Sequence, residues 1–136
     1  MREIKFRGKR VDNGEWVYGS LLISEHQEKN LEPLHYFICP LDKGYHRVIP
    51  DTVGQFTGLH DKNGKETYEG DIVKHHDDIL SVVIYNSVHC AYVMTDITGN
   101  RNRCQCDKLG SYSSLWIEVV GSIYENPDLL SAEGLK

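Results

Sequence analysis

A chain of 136 residues has room for one good core or two small sub-domains sharing an interface, and its ordinary apolar content, with about a quarter of the residues charged, excludes a disordered or fibrous protein. Fifteen Lys and Arg against twenty Asp and Glu give a formal net charge of -5, which opposes the general attraction between basic domains and a nucleic-acid backbone. The charge is uneven, because residues 1–11 hold Arg2, Lys5, Arg7, Lys9 and Arg10 against the single acid Glu3, a local basic surface on an acidic chain.

Apolar alternation dominates and helical periodicity is scarce, so the chain reads as mainly β. "EIKFR" (3–7) puts Ile4 and Phe6 on one face, expected in the core, and Lys5 and Arg7 on the other, expected in water. "DNG" (12–14) follows at once. Asn-Gly tolerates the positive φ of a tight hairpin, so the strand should return as "EWVYGSLLI" (15–23). Residues 24–32 are polar and loop-like, "LHYFICP" (34–40) is a short strand closed by Pro40, and "YHRVI" (45–49) is another ended by Pro50.

"TVGQFTG" (52–58) leads into "TGLHDKNGKETYEGDIV" (57–73), where Asn63-Gly64 marks a second hairpin turn. "DIVKHH" and "ILSVVIYNS" form a central hairpin joined at Asp77-Asp78, and the apolar run "ILSVVIY" is expected to be buried on both faces. "CAYVMTD" (90–96) is the next strand. Residues 97–106 are polar and loop-like, "DKLGSYSSL" (107–115) is compatible with one short helical turn, and "LWIEVVGSIY" (115–124) is the last strand. Asn126-Pro127 breaks it, and "PDLLSAEGLK" is left as a short terminal helix or tail, with Pro127 suited to a first helical position.

No apolar run approaches the ~20 residues that cross a bilayer, and "MREIKFRGKR" lacks the apolar centre of a signal peptide, so a cytoplasmic location is expected. In such a reducing compartment Cys39, Cys90, Cys104 and Cys106 are expected as thiols rather than disulfides.

"TVGQFTGLHDKNGKETYEGDIVK" (52–74), with "MREIKFRGKR" at the start and "VVGSIYENPDLL" (119–130) at the end, resembles the YopX family of phage and prophage proteins, so the likeness spans the whole chain. The resemblance implies a β-rich fold with an SH3-like barrel part and brings no catalytic residues. The expected architecture is a single unit over 1–136, with a hairpin-rich N-terminal β region at 1–50 and an SH3-like barrel region at 51–136. In "YEGDIV", Gly70 allows a bend that a β-carbon would resist, Asp71 can hydrogen-bond its own backbone, and Ile72 and Val73 begin a core strand. The whole stretch is therefore read as structural. A phosphate loop would need more glycine, a Lys-Ser/Thr pair and a following helix.

Candidate chemistry is thin. "KHHDD" (74–78) offers His75, His76 and Asp77 to a divalent metal, but adjacent strand residues point to opposite faces, and a hairpin tip in water is the better explanation. Cys104 and Cys106, with His89 and Cys90, make an unusual zinc pattern against the simpler reading of ordinary thiols. No nucleophile elbow is present, and Glu66 and Glu69 lie in a polar segment. No catalytic residue and no cofactor is expected.

SH3-like barrels also bind nucleic acid. In that alternative Lys5, Arg7 and Lys9 line one strand face, Arg101 and Arg103 add charge from a loop, and Trp16, Tyr18, Tyr112 and Trp116 either stack on bases or fill the core. The first expectation is a non-catalytic accessory protein that binds a host or phage protein, with self-association through exposed strand edges open to it and no membrane partner.

Overall fold

The computed structural model describes residues 2–25, 34–41, 44–75, 79–96, 106–108 and 117–130. These form antiparallel strands and two short 3-10 turns, with no α-helix among the described residues. The chain divides into two units, residues 1–56 and 57–136.

In the first unit, β1 (Phe6–Lys9), β2 (Trp16–Glu25), β3 (Leu34–Cys39), β4 (His46–Val48) and the start of β5 (Gly54–His60) lie in the order β4-β3-β2-β1-β5. The N-terminal hairpin forms as its turn chemistry predicts. Gly14 takes φ +72°, Asn13 Oδ1 accepts the Glu15 N–H at 2.9 Å, and the ladder pairs Arg7 with Tyr18 and Lys9 with Trp16. The strand "LHYFIC" also forms, and "HRV" ends before Pro50, which opens the 3-10 turn Pro50–Thr52.

The core of this unit is Val17, Ile38 and Val48, with Phe6, Leu21, Tyr36 and Val53 packed against it. A single antiparallel bridge, Arg10 to Val48, brings β4 round to the end of β1, with the Val11 N–H donating to the Arg47 carbonyl at 3.0 Å and the Ile49 N–H to the Lys9 carbonyl at 2.9 Å. The sheet thus curls over its apolar side without a ladder that would close it into a barrel.

One expectation about faces is corrected. Phe6 does pack on the core, but Ile4 precedes β1 and is 62% exposed, while Arg7 is only 5% exposed. Alternation assigns residues to two faces and does not say that the second face is wet. Here Trp16 covers it, as described below.

In the second unit the later half of β5 pairs with β6 (Glu66–Tyr68) around the Asn63-Gly64 turn, where Gly64 takes φ +81°. β7 (Asp71–His75), β8 (Ile79–Asn86), β9 (Ala91–Asp96), β10 (Cys106–Lys108) and β11 (Glu118–Ser122) form a five-stranded sheet in the order β10-β9-β8-β7-β11. Val73, Val83, Met94 and Ile117 make its core, with Leu59, Tyr92 and Val119 against it. The central hairpin is β7 and β8, whose joining residues Asp77 and Asp78 lie outside the described residues. Burial on both faces of "ILSVVIY" holds for Ser81, Val82 and Val83 and fails at exposed Ile84 and Tyr85, where the strand runs past its cover.

Three expectations change at the C-terminal side. Residues 106–108, expected as the end of a loop and the start of a helical turn, are strand β10 on the sheet edge, with Asp107 paired to Met94. The described sheets are open, so no closed SH3-like barrel is seen among these residues. Beyond Asn126 the chain makes one 3-10 turn, Pro127–Leu130, rather than an α-helix, and residues 131–136 lie outside the description.

The stretch 57–73 builds corners. Asp61, 3% exposed, accepts backbone N–H groups of Asn63 at 2.9 Å and Lys65 at 2.8 Å on Oδ1, and of Val119 at 3.0 Å on Oδ2. Thr57 Oγ1 donates to the Thr67 carbonyl at 2.8 Å, and Asp71 Oδ2 accepts the Tyr68 N–H at 2.8 Å. Gly70 sits at φ +87°, where a β-carbon would lie 2.9 Å from Tyr124 Cε2. Its N–H donates to the Val83 carbonyl at 2.8 Å and its carbonyl accepts from the Ile123 N–H at 2.9 Å. Glycine is required there both for conformation and for space.

No helix among the described residues is long and apolar enough to cross a membrane.

Candidate functional site

Residues directly opposite in an antiparallel ladder share a face. On the side of the first-unit sheet away from Val17 and Ile38, the registers therefore align Arg7 with Tyr18, Lys9 with Trp16, Leu22 with Phe37, and Phe37 with Arg47. This face has a cationic end on β1 and an apolar end on β2 to β4.

At the cationic end the three basic residues named by the sequence do come together, but on aromatic rings. Arg7 Cζ lies 4.3 Å from the centroid of Trp16, Lys9 Nζ lies 5.1 Å from the same ring, and Lys5 Nζ lies 5.3 Å from the Phe56 centroid. Lys5 also pairs with Glu3 at 3.4 Å. Cation–aromatic contacts of this kind are worth about 0.5–2 kcal/mol, more as water is excluded. Arg7 is inside the protein, and Lys5 and Lys9, half-buried, lie along rings, so all three side chains take part in packing this unit. Arg101 and Arg103, together with Tyr112 and Trp116, fall outside the described residues.

At the apolar end Tyr18 is exposed, Leu22 is 51% exposed and Tyr45 is 68% exposed. The ring of Tyr45 meets Phe37 edge to face at 5.5 Å, and the His35 ring lies 6.4 Å from that of Phe37. Exposed apolar groups gathered on one sheet face mark an interaction surface more often than scattered ones do. Sequence reasoning missed this patch, since "YGSLLI" and "HYFIC" read only as strands, with no partner assigned to either. The register that brings Leu22 beside Phe37 is long-range information.

Next to the patch, an open cleft of about 320 Å³ is lined by Arg10, Val11, Asp12, Tyr45, His46 and Arg47. Asp12 grips Arg10 side-on, Nε to Oδ1 at 3.0 Å and Nη2 to Oδ2 at 2.6 Å. The Arg10 hydrogen bond is the main reason the Asp12 carboxyl is held below its ordinary range. Residues 1–56 hold eight basic and eight acidic residues, so the whole formal charge of -5 falls in residues 57–136.

The metal candidates among the described residues do not assemble. His75 Nε2 lies 2.9 Å from Ser81 Oγ on the neighbouring strand, while His76, Asp77 and Cys104 are outside the described residues. Cys106 is opposite Thr95, and four residues of strand, about 13 Å, separate Thr95 from Ala91, which follows the His89-Cys90 couple. Cys90 is exposed in a turn with its Sγ toward the Ser87 carbonyl, and Cys39 and Cys90 are free thiols. Among the described residues no group of three or more His, Cys, Asp or Glu side chains could hold a metal ion.

The family described as YopX protein matches residues 5–131, nearly the whole chain. Among solved structures, the crystal structure of protein EF1440 from Enterococcus faecalis is similar, with 20% sequence identity, 96% of this chain and 100% of that chain covered, and a TM-score of 0.53. At that identity the likeness concerns the fold alone. No curated protein sequence matches the chain.

Proposed function

The chain belongs to the YopX family, and from that premise we propose that it is a phage- or prophage-encoded accessory protein acting as a non-catalytic protein-binding module. The observation that carries this reading is the pair of exposed side chains Leu22, opposite Phe37, and Tyr45, whose ring meets Phe37, with exposed Tyr18 on the same face of β2. Such a surface has an apolar centre with a polar rim, the make-up of a protein interface. Its partner is a host or phage protein met in the bacterial cytoplasm.

Nucleic-acid binding is the alternative, and the burial of Arg7 weighs against it, because a phosphate contact needs a cation that water can reach. The test is capture of partners from host lysate by the tagged protein, with and without nuclease. A specific protein retained after nuclease treatment supports the module. Retention that nuclease abolishes transfers the function to nucleic acid.

A further inference from the structure

We infer that the cleft beside the apolar patch is the seat of a carboxylate side chain from an acidic segment of the protein partner; this rests on the binding-module reading and names the chemistry of its ligand. The cleft is formed where the turn after β1 meets β4, and the backbone bond from the Val11 N–H to the Arg47 carbonyl, 3.0 Å, joins the two segments that line it. Its volume of about 320 Å³ is at the small end of ligand sites and has room for a side chain.

Charge decides what fits. Asp12 neutralises Arg10, but its two oxygens engage only Nε and Nη2, so the other N–H groups of this guanidinium keep their donors. The pair also holds the Arg10 head in one place. Among the described residues no carboxylate lies within ion-pair distance of Arg47, an exposed arginine opposite Phe37. The cleft therefore carries one uncompensated guanidinium and one oriented guanidinium, which favours a planar oxyanion over a cation or a neutral group. Tyr45 lines the same cleft and its ring continues into Phe37. A peptide with an acid next to a leucine would place its carboxylate on the arginines and its apolar side chain on Tyr45 and Leu22.

The test uses the full chain labelled with 15N and three probes: the capped peptide Glu-Leu-Glu-Leu-Glu, its Gln-Leu-Gln-Leu-Gln counterpart, and inorganic phosphate. The acidic peptide is expected to shift the amides of residues 10–12 and 45–47 saturably, and Arg47→Gln is expected to weaken it at least tenfold while leaving the remaining spectrum in place. No saturable shift, equal binding of the Gln peptide, or full affinity in Arg47→Gln would overturn the inference. So would phosphate saturating the cleft at the concentration of the peptide, which would make it a simple anion hole. A captured partner that Arg47→Gln retains and Leu22→Asp loses would leave the docking face standing and remove the carboxylate from it.

Discussion

The Oδ2 atom of Asp61 accepts the backbone N–H of Val119 at 3.0 Å, joining positions 58 residues apart, while Oδ1 of the same carboxylate holds the Asn63 and Lys65 N–H groups of its own turn. One buried side chain thus fixes a hairpin turn and anchors the last strand. Beside Val119 the β11–β7 register slips, leaving Val120 as an extra residue, so the anchor lies at the one irregular point of that ladder.

Asp61→Ala should lower stability by about 2–4 kcal/mol in urea unfolding, because three N–H groups lose a charged acceptor. Burial is the largest single influence on the Asp61 carboxyl and pushes its pKa up, but the N–H groups of Val119, Lys65 and Asn63 together with the Lys65 charge outweigh it, and the net pKa is lowered. A carboxyl with a lowered folded pKa stabilises the fold above its unfolded value, about 4, and that contribution is lost as the pH falls through the folded pKa. Asp61→Asn should accordingly flatten the acid limb of the stability curve below about pH 4. An unchanged acid limb would show that other carboxylates govern it.

Gly70→Val should destabilise the protein severely, by about 3 kcal/mol or more, since it combines a positive φ with a contact on Tyr124. Lys65→Ala, exposed in the neighbouring turn, should stay within about 0.5–1 kcal/mol. Thermal melts of the two variants side by side make the comparison, and equal midpoints would mean that the corner is not structural.

Gly121 has Asn126 directly over the place where a β-carbon would go, and Asn126 Oδ1 accepts the Ser122 N–H at 3.2 Å. Gly121→Ala and Asn126→Ala should each cost about 1–2 kcal/mol, and the double variant should cost less than their total by about 0.5–1 kcal/mol, because removing the amide makes room for the methyl. Strict additivity in urea unfolding would deny the close approach.

Arg7→Ala should cost stability, about 1–3 kcal/mol, and shift the fluorescence of Trp16, whose ring the guanidinium covers at 4.3 Å. The expected signature of a nucleic-acid residue is different: unchanged stability and a smaller salt slope of binding. Chemical denaturation and a salt titration on the same variant separate the two.

Local chemistry explains which of these features were legible in advance. Asn13-Gly14 and Asn63-Gly64 declare their hairpins because a positive φ is a property of adjacent residues, and Pro50, which opens a 3-10 turn just after β4, is a local signal too. The last strand ends at Ser122, before Asn126-Pro127, so that breaker marks the 3-10 turn and not the strand end. The near half of the Asp61 network carries the signal of an Asp preceding a turn, but the bond to Val119 has none. Faces were harder: "EIKFR" alternates correctly, yet only the tertiary fold places Trp16 over Arg7 and leaves Ile4 outside. Strand β10 is polar and lies on an edge, so it lacks the apolar pattern by which strands are found. The apolar patch depends on the pairing of Leu22 with Phe37, which no local stretch encodes.

The most direct test of the binding face is Leu22→Asp. Leu22 is 51% exposed, so the variant should fold with stability within about 1 kcal/mol of the parent. Wild-type and Leu22→Asp proteins would be compared for the partner each retains from nuclease-treated host lysate, with identification and quantification of what is held. The account predicts a specific protein on the wild type that is reduced at least tenfold on the variant. Equal retention by both proteins would contradict it.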